Sequence, residues 1–450
     1  MNFNALTPPQ LERTTASGLN RFDSSRASGD VAAEVARRAE ALGPTYHLFY
    51  EEPLRVQRGQ GAYLYDVDGR EYLDMYNNIP GVGHSNPRVA DAVHRQMLEV
   101  STHTRYMHPA IVNYAERLLS TFPDSVNHVM LTCTGSEAND LAVRIAQHKQ
   151  GKRGIIVTDF AYHGSTGISA AISPSITGAV AETDSWVRTV RAPDPYREGP
   201  AAAERFAQDV ARAIAELEAD GTGFAGFIAD MVLSTDGVIP DPIPYFAPVA
   251  ALVKQAGGAF IADEVQSGFA RLGDTMWGFQ RHFLEPDMIT MGKPMGNGYP
   301  VAGLAVSREL LAAFGRDVTY FNTFGGNPVS VAAAGAVLDE IADRELQANA
   351  KRLGEVLLAG LRSIQREDDS IGDVRGAGLF VAVEYVSDQE AKTPLASRAA
   401  QVVRDLRNAG VLISSTGAYA NSLKIRPPLV IDEAGIDRFL ETFAAVSKKK

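Results

Sequence analysis

Cysteine is almost missing from this chain. The 450 residues contain one, Cys133, which excludes an intramolecular disulfide or a cysteine-rich zinc site and points to a reducing compartment, the cytoplasm. Positive charge is also in short supply. Lys and Arg number 43 against 54 Asp and Glu, a formal charge of −11, and the only basic cluster is the terminal Lys448-Lys449-Lys450. No phosphate-neutralising surface for nucleic acid is visible. No apolar run reaches the roughly 20 residues of a membrane span, and residues 1–30 lack the basic-then-apolar order of a signal peptide; they read as a surface arm. The nine histidines show no H-E-x-x-H and no other ligand spacing, and His103 and His108 stand too far apart for one helix face, so no metal is expected. Self-similar repeats and low-complexity linkers are absent, which disfavours solenoids and strings of small domains.

What is present is an ordinary globular composition, 45% hydrophobic and 22% charged, which excludes extensive disorder. At roughly 100–200 residues per domain, the length fits two to three domains. Residues 31–41 read as a helix, and residues 54–73 as a small antiparallel unit with turns at Gly59-Gln60-Gly61 and Asp68-Gly69. From about residue 86, helices alternate with the short apolar runs 128–132, 154–158, 227–231, 259–263, 288–291 and 301–305. Such runs predict an α/β fold around a mainly parallel sheet buried on both faces. Past residue 330 come two long helical stretches, strand-like segments at 378–385, 411–414 and 423–425, and a closing helix. This reads as a smaller α+β unit that the N-terminal hairpins could complete. The expected division is 1–75, 76–335 and 336–450.

Several segments could carry chemistry. Thr134 and Glu137 have capping-box spacing after an apolar run. Gly135 and Ser136 then fall in a first helical turn, where free N–H groups favour an anion such as phosphate, although a cap alone explains the pattern equally simply. Asp263 and Glu264 stand at the C-terminal end of a buried run, where ligands of open α/β sheets bind, and a buried carboxylate there calls for a cationic partner. Lys293 lies just past the next run, flanked by glycines; a sequestered lysine has a lowered pKa and can condense with a carbonyl. Thr323 precedes a glycine pair, and Tyr162, His163 and Gly164 form an aromatic-bearing loop. Each signal is weak alone. Together they supply what pyridoxal phosphate requires: an amine, an anion for the ring nitrogen, a phosphate cup and a ring to stack on. Gly221 to Gly226 is a literal G-x-G-x-x-G, but it follows a helix and precedes a strand, the reverse of the dinucleotide-binding order, so it is read as a turn.

In this order, Thr134-Gly-Ser-Glu-Ala-Asn139, Tyr162-His-Gly164, Asp263-Glu-Val-Gln266, Gly292-Lys293 and Thr323-Phe-Gly-Gly-Asn-Pro328, the chain resembles the class III (omega) aminotransferases of the fold type I pyridoxal-phosphate enzymes, from about residue 45 to 445. The resemblance implies that Lys293 is the Schiff-base lysine and proton shuttle and that Asp263 keeps the pyridine nitrogen protonated. It further implies that Gln266 touches the cofactor's phenolic oxygen, that Tyr162 covers the ring, that His163 and Asp230 lie near it, and that Gly135 and Ser136 form the phosphate cup. Thr323 is similar to a phosphate ligand donated by the other subunit, which implies a homodimer with shared sites and leaves open a pairing of dimers into tetramers.

The departures bear on substrate. Where ornithine-type members have an arginine three residues before a proline pair, this chain has Lys424, with Arg426 directly before Pro427-Pro428. Asp230 stands where the family usually has glutamate, and Thr235 stands where a reserve glutamate would be. Tyr50, Tyr76, Asn78 and Arg105 are further candidates for the substrate pocket. Stretches such as Asn77 to His84 and Leu423 to Pro428 look most like the subgroup holding the ethanolamine-phosphate and phosphohydroxylysine phospho-lyases. The expected activity is amino transfer from a primary amine or ω-amino acid to a keto acid such as pyruvate. The alternatives are elimination of phosphate or another β-substituent with ammonia, and a non-catalytic binding protein that keeps the fold.

Overall fold

The structure is a computed structural model that describes residue 22 and residues 29–43, 45–177, 185–240 and 244–448. The expected arm over residues 1–30 therefore lies outside the described residues, apart from Phe22 and the start of the helix Gly29–Leu42.

Fifteen strands form three sheets among the described residues. β1 (Val56–Gln60), β2 (Tyr63–Asp66) and β3 (Glu71–Asp74) make the expected N-terminal meander. The central sheet comprises β4 (His128–Thr132), β5 (Gly154–Thr158), β6 (Val187–Val190), β7 (Phe224–Asp230), β8 (Ala259–Asp263), β9 (Met288–Met291) and β10 (Ala302–Val306). Its spatial order is β4-β10-β9-β8-β7-β5-β6. β5, β6, β7, β8 and β9 pair in parallel, and β10 runs against both neighbours. Every residue of β5, β7, β8, β9 and β10 is buried, as expected for strands covered by helices on both faces. The mainly parallel α/β fold inferred from the apolar runs is the one observed. β6 was not anticipated, because Val187-Arg-Thr-Val190 reads as neither a continuous apolar run nor a clear turn.

β11 (Ile371–Ala377), β12 (Phe380–Tyr385), β14 (Ser414–Thr416) and β15 (Ser422–Ile425) form a third sheet in the order β11-β12-β15-β14. Between them in the chain, β13 (Val411–Leu412) pairs in parallel with β3, so the two chain ends share one sheet. β11 also escaped the sequence reading, since its Gly-Asp and Arg-Gly pairs break the apolar run. Of the Gly221–Gly226 decoy, read as a turn, residues 221–223 turn with positive φ at Gly221 and Gly223, and Phe224 to Gly226 already belong to β7.

Candidate active site

The chemistry-bearing residues converge at the C-terminal ends of the central strands. β7, β8 and β9 are in register there, so that Asp230 pairs with Asp263 and Asp263 with Thr290 across neighbouring strands. They border an open cavity lined by Gly135, Ser136, Tyr162, His163, Asp263 and Lys293 among others.

Asp263 is buried at its centre. Its Oδ2 accepts from His163 Nδ1 at 2.7 Å and Asn139 Nδ2 at 2.9 Å, and its Oδ1 accepts from the Val265 N–H at 3.0 Å. Burial pushes the carboxyl toward protonation, but the bond and charge of His163 outweigh it and leave the pKa below the ordinary value. Asp230 is held by the Val232 N–H and by the N–H and hydroxyl of Ser234. Burial, followed by repulsion from Asp263, raises its pKa. Two adjacent carboxylates thus have pKa values pushed in opposite directions, which marks a functional site. Glu264, beside Asp263 in sequence, turns away. It accepts from the Gly278 and Phe279 N–H groups at 2.8 and 2.6 Å and from Ser267 Oγ at 2.6 Å. Its work is structural: Glu264→Ala is expected to lower the unfolding free energy by about 2–4 kcal/mol by stranding these donors. Thermal melting checks this, and a melting temperature equal to the parent's would remove the role.

Lys293 opens a short 3-10 turn, Lys293–Gly296, with its backbone at φ 26, a conformation that a non-glycine residue holds only when its surroundings impose it. Its Nζ lies 6.0 Å from the centre of the Tyr162 ring. Burial and then Arg426 lower the amine's pKa, against the pull of Asp263 and Asp230. That combination raises the fraction of free, nucleophilic amine.

At the cavity's other end the expected capping box is present. Thr134 caps the helix Gly135–Gln150, and Glu137 accepts back from the Thr134 N–H. A Cβ at Gly135 would lie 2.9 Å from the Val265 side chain, and one at Gly164 would overlap Ser136 Oγ at 2.4 Å, so only glycine leaves these walls in place. Ser136 Oγ accepts from the Ser165 N–H. Pyridoxal phosphate fits this chamber. First-turn N–H groups suit its phosphate, Tyr162 and Val265 provide apolar walls for its ring, and Lys293 offers the amine. His163 Nε2 is buried and unpartnered, a polar atom left for a ligand.

Sequence reasoning missed Asn139 as a site residue. It bridges Asp263, the His163 carbonyl and Thr290 Oγ1. Its signal was a polar residue at an inward helical position beside Ala138 and Leu141, both buried.

Some of the substrate candidates meet the cavity lining at Gln266. Its Oε1 accepts from Arg426. Arg426 also donates to the Tyr76 carbonyl at 2.8 Å and lies over the Tyr76 ring, 5.0 Å from its centre. Asn78 donates to the Gln266 carbonyl, while its own Oδ1 is buried and unpartnered. Lys424 is 7% exposed, and its side chain makes no hydrogen bond or ion pair among the described residues. Burial, then Arg426, drives its pKa well down. Arg271, 1% exposed and unnoticed in the sequence, donates only to the Leu379 and Pro427 carbonyls. Tyr50 does not face the cavity; its hydroxyl donates to the Ile413 carbonyl. Thr235 is buried, and its carbonyl, not its side chain, accepts from the Gly417 N–H. Thr323 is exposed and does not line its own chain's cavity, and Arg105 sits over the ring of Phe321 at 3.8 Å.

Known proteins are similar to this chain in sequence and fold. A phospholyase from Arthrobacter, solved in complex with phosphoethanolamine, superposes with a TM-score of 0.89 at 42% identity, covering 93% of this chain and 100% of that one. An alanine–glyoxylate aminotransferase 2-like protein of Drosophila melanogaster is 39% identical over 91% of this chain and 85% of its own length. An ethanolamine-phosphate phospho-lyase homolog of Caenorhabditis elegans is 35% identical over 92% of each. Residues 49–446 match the family described as Aminotransferase class-III. That match, over nearly the whole length, shows that the chain belongs to the class III aminotransferases, enzymes of the fold type I group that use pyridoxal phosphate.

Proposed function

We propose that the chain transfers the amino group of a primary amine or ω-amino acid to a keto acid such as pyruvate. The observation that carries this reading is the buried Lys293, its amine 6.0 Å from the centre of the Tyr162 ring and its pKa lowered, in one cavity with Asp263, whose pKa is also lowered. When bound, pyridoxal phosphate supplies an aldehyde that captures the amine and a ring that accepts the electrons released at the amine-bearing carbon. Lys293 would hold the cofactor through that aldehyde, then take a proton from the amine-bearing carbon and deliver it onward. Asp263, kept ionised by His163 and Asn139, would hold a proton on the ring nitrogen. The N–H groups of Gly135 and Ser136 would bind the phosphate, with Tyr162 and Val265 on the ring faces.

A second reading rests on cations. Lys424, Arg426 and Arg271 are buried, and none makes a direct ion pair or hydrogen bond with a carboxylate among the described residues; Asp230, Asp236 and Asp74 act on them only from farther off. Buried cations without a directly paired counter-charge gain when an anion arrives. They support a substrate with an anionic end, a ω-carboxylate or a phosphate. With phosphate on the carbon next to the amine carbon, the same proton abstraction by Lys293 would expel phosphate, and hydrolysis would release ammonia. The deciding experiment mixes holoenzyme with phosphoethanolamine and ω-amino acids without a keto acid. Transamination gives one stoichiometric change in the cofactor spectrum and no ammonia. Continuous release of ammonia and phosphate would overturn it in favour of elimination.

The reading includes a homodimer, in which Thr323 of each chain completes the phosphate site of the other. Its support is a set of exposed apolar side chains that includes Met107, Tyr106, Phe324, Leu98 and Val112, an unusual display for a monomer surface. In hybrids of Lys293→Ala and Thr323→Ala subunits, one of the two shared sites carries both lesions and the other neither. Cofactor retention at the intact site is expected to match the parent's, and equal weakening at both sites would remove the trans contact. The single cysteine supports placement in the cytoplasm.

A further inference from the structure

Segment 230–238 follows β7 and carries Asp230, which lines the cavity, and Asp236, whose Oδ2 accepts from Thr158 Oγ1. It is a strained segment: Leu233 and Val238 hold φ values of 47 and 61 without being glycine, and a β-branched residue there persists only where its neighbours fix it. Those neighbours come from the third sheet and its β14 end. Thr416 Oγ1 donates to the Ser234 carbonyl at 2.9 Å, and the Gly417 N–H donates to the Thr235 carbonyl at 3.1 Å. Arg375 on β11 donates through Nε to the Val238 carbonyl at 2.8 Å and through a terminal nitrogen to the Gly237 carbonyl at 2.7 Å. Its other terminal nitrogen is anchored at 2.7 Å to both Asp373 and Glu384. Glu384, 4% exposed, is shared with Arg197 at 2.6 Å and Asn421 at 3.2 Å.

β14, which ends in this clamp, pairs with β15 so that Ser414 faces Lys424. We propose that Arg375 is a positioning residue for recognition of the anionic end of the amine substrate: it fixes segment 230–238, and with it Asp230 and Asp236, against the strands that present Lys424. Asp230 and Asp236 are the carboxylates that favour the charged form of Lys424, opposing burial, Arg426 and Lys293. A guanidinium spanning two carbonyls and two carboxylates has a planar fork that no other side chain reproduces. Arg197 shares Glu384 but donates to none of the carbonyls of segment 230–238, so the two arginines separate positioning from mere ion pairing.

The inference rests on the amine-and-cofactor reading of the cavity, and one experiment separates the two. Holoenzyme is titrated with phosphoethanolamine, β-alanine and butylamine, following the cofactor spectrum. If the parent protein binds no cofactor, the reading of the site fails and this inference falls with it; if it binds butylamine as well as both anionic amines, the reading of the site stands and this inference alone is overturned. Where the parent prefers an anionic amine, Arg375→Met is expected to weaken that amine about tenfold, the loss of one or two charge-assisted hydrogen bonds' worth of ordering, with butylamine unchanged. Thr416→Val is expected to act in the same direction but less, and Arg197→Met to leave both amines within about twofold, a difference worth less than one ordinary hydrogen bond. Equal weakening of all amines in Arg375→Met and Thr416→Val, or an Arg197→Met effect as large as that of Arg375→Met, would overturn the inference.

Discussion

Lys293→Ala is expected to abolish turnover while leaving the fold intact. Removing a positioned acid–base group alone lowers rates by roughly 10²–10⁴, and here the same amine would also hold the cofactor, so the loss should reach the upper end of that range or beyond. Stability should not follow. The Lys293 amine is desolvated and lies near the cationic Arg426, so its removal takes away an unfavourable burial instead of a supporting contact. The backbone strain at φ 26 remains in the alanine variant, so no new relaxation confuses the comparison. The measurement is paired: single-turnover kinetics with an amine donor, and thermal melting of the apoprotein. Activity within tenfold of the parent would sink the assignment. A collapsed melting temperature would show Lys293 to be structural.

Asp263→Asn should produce the second largest effect, a rate lower by roughly 10²–10³, typical of losing one preorganised electrostatic group. Asparagine keeps the size of the side chain, and its amide oxygen can still accept from Asn139 Nδ2 and His163 Nδ1. What disappears is the negative charge, and with it the second oxygen that accepts from the Val265 N–H. Asp230 is the neighbouring carboxyl, and its pKa is raised by burial and then by Asp263. Neutralising Asp263 removes that repulsion, so the pKa of Asp230 should fall back toward the ordinary range. That gain is offset, because the lowered pKa of Asp263 means that the fold favours its charge, and asparagine forfeits this stabilisation at neutral pH. The apoprotein should therefore stay folded but melt somewhat earlier than the parent, and the holoenzyme should be slow. Normal turnover would refute the ring-nitrogen role.

Much of this was legible in the sequence for identifiable reasons. Strands buried on both faces must be apolar throughout, so β5, β7, β8 and β9 announced themselves as short apolar runs. A helix that binds an anion at its start needs a cap and small residues, so Thr134, Gly135, Ser136 and Glu137 were visible together. Lys293 and Asp263 stood out because a charge directly after an apolar run requires a partner. Those features are local, and spacing along the chain is enough to find them.

The rest depends on contacts between distant segments. Nothing in the neighbourhood of Glu264 distinguishes it from Asp263, one residue before it. The alternation of side chains at the strand end sends Asp263 to His163 and Asn139, and Glu264 to the Gly278 and Phe279 N–H groups. Asn139 reads as one polar residue in a helix until β8 and β9 bring Asp263 and Thr290 against it. Arg271 looks like an ordinary surface cation in the chain, and nothing local shows that Lys424 and Arg426 are buried; tertiary packing buries all three without a direct ion pair to a carboxylate among the described residues. The clamp of Arg375 on residues 237 and 238 spans more than 130 positions. Local spacing determined the cofactor's class because a phosphate cup, a lysine and a carboxylate are each written in a few adjacent residues. Which charges meet the substrate was decided by tertiary structure, because burial and pairing are properties of neighbours that the chain brings together only on folding.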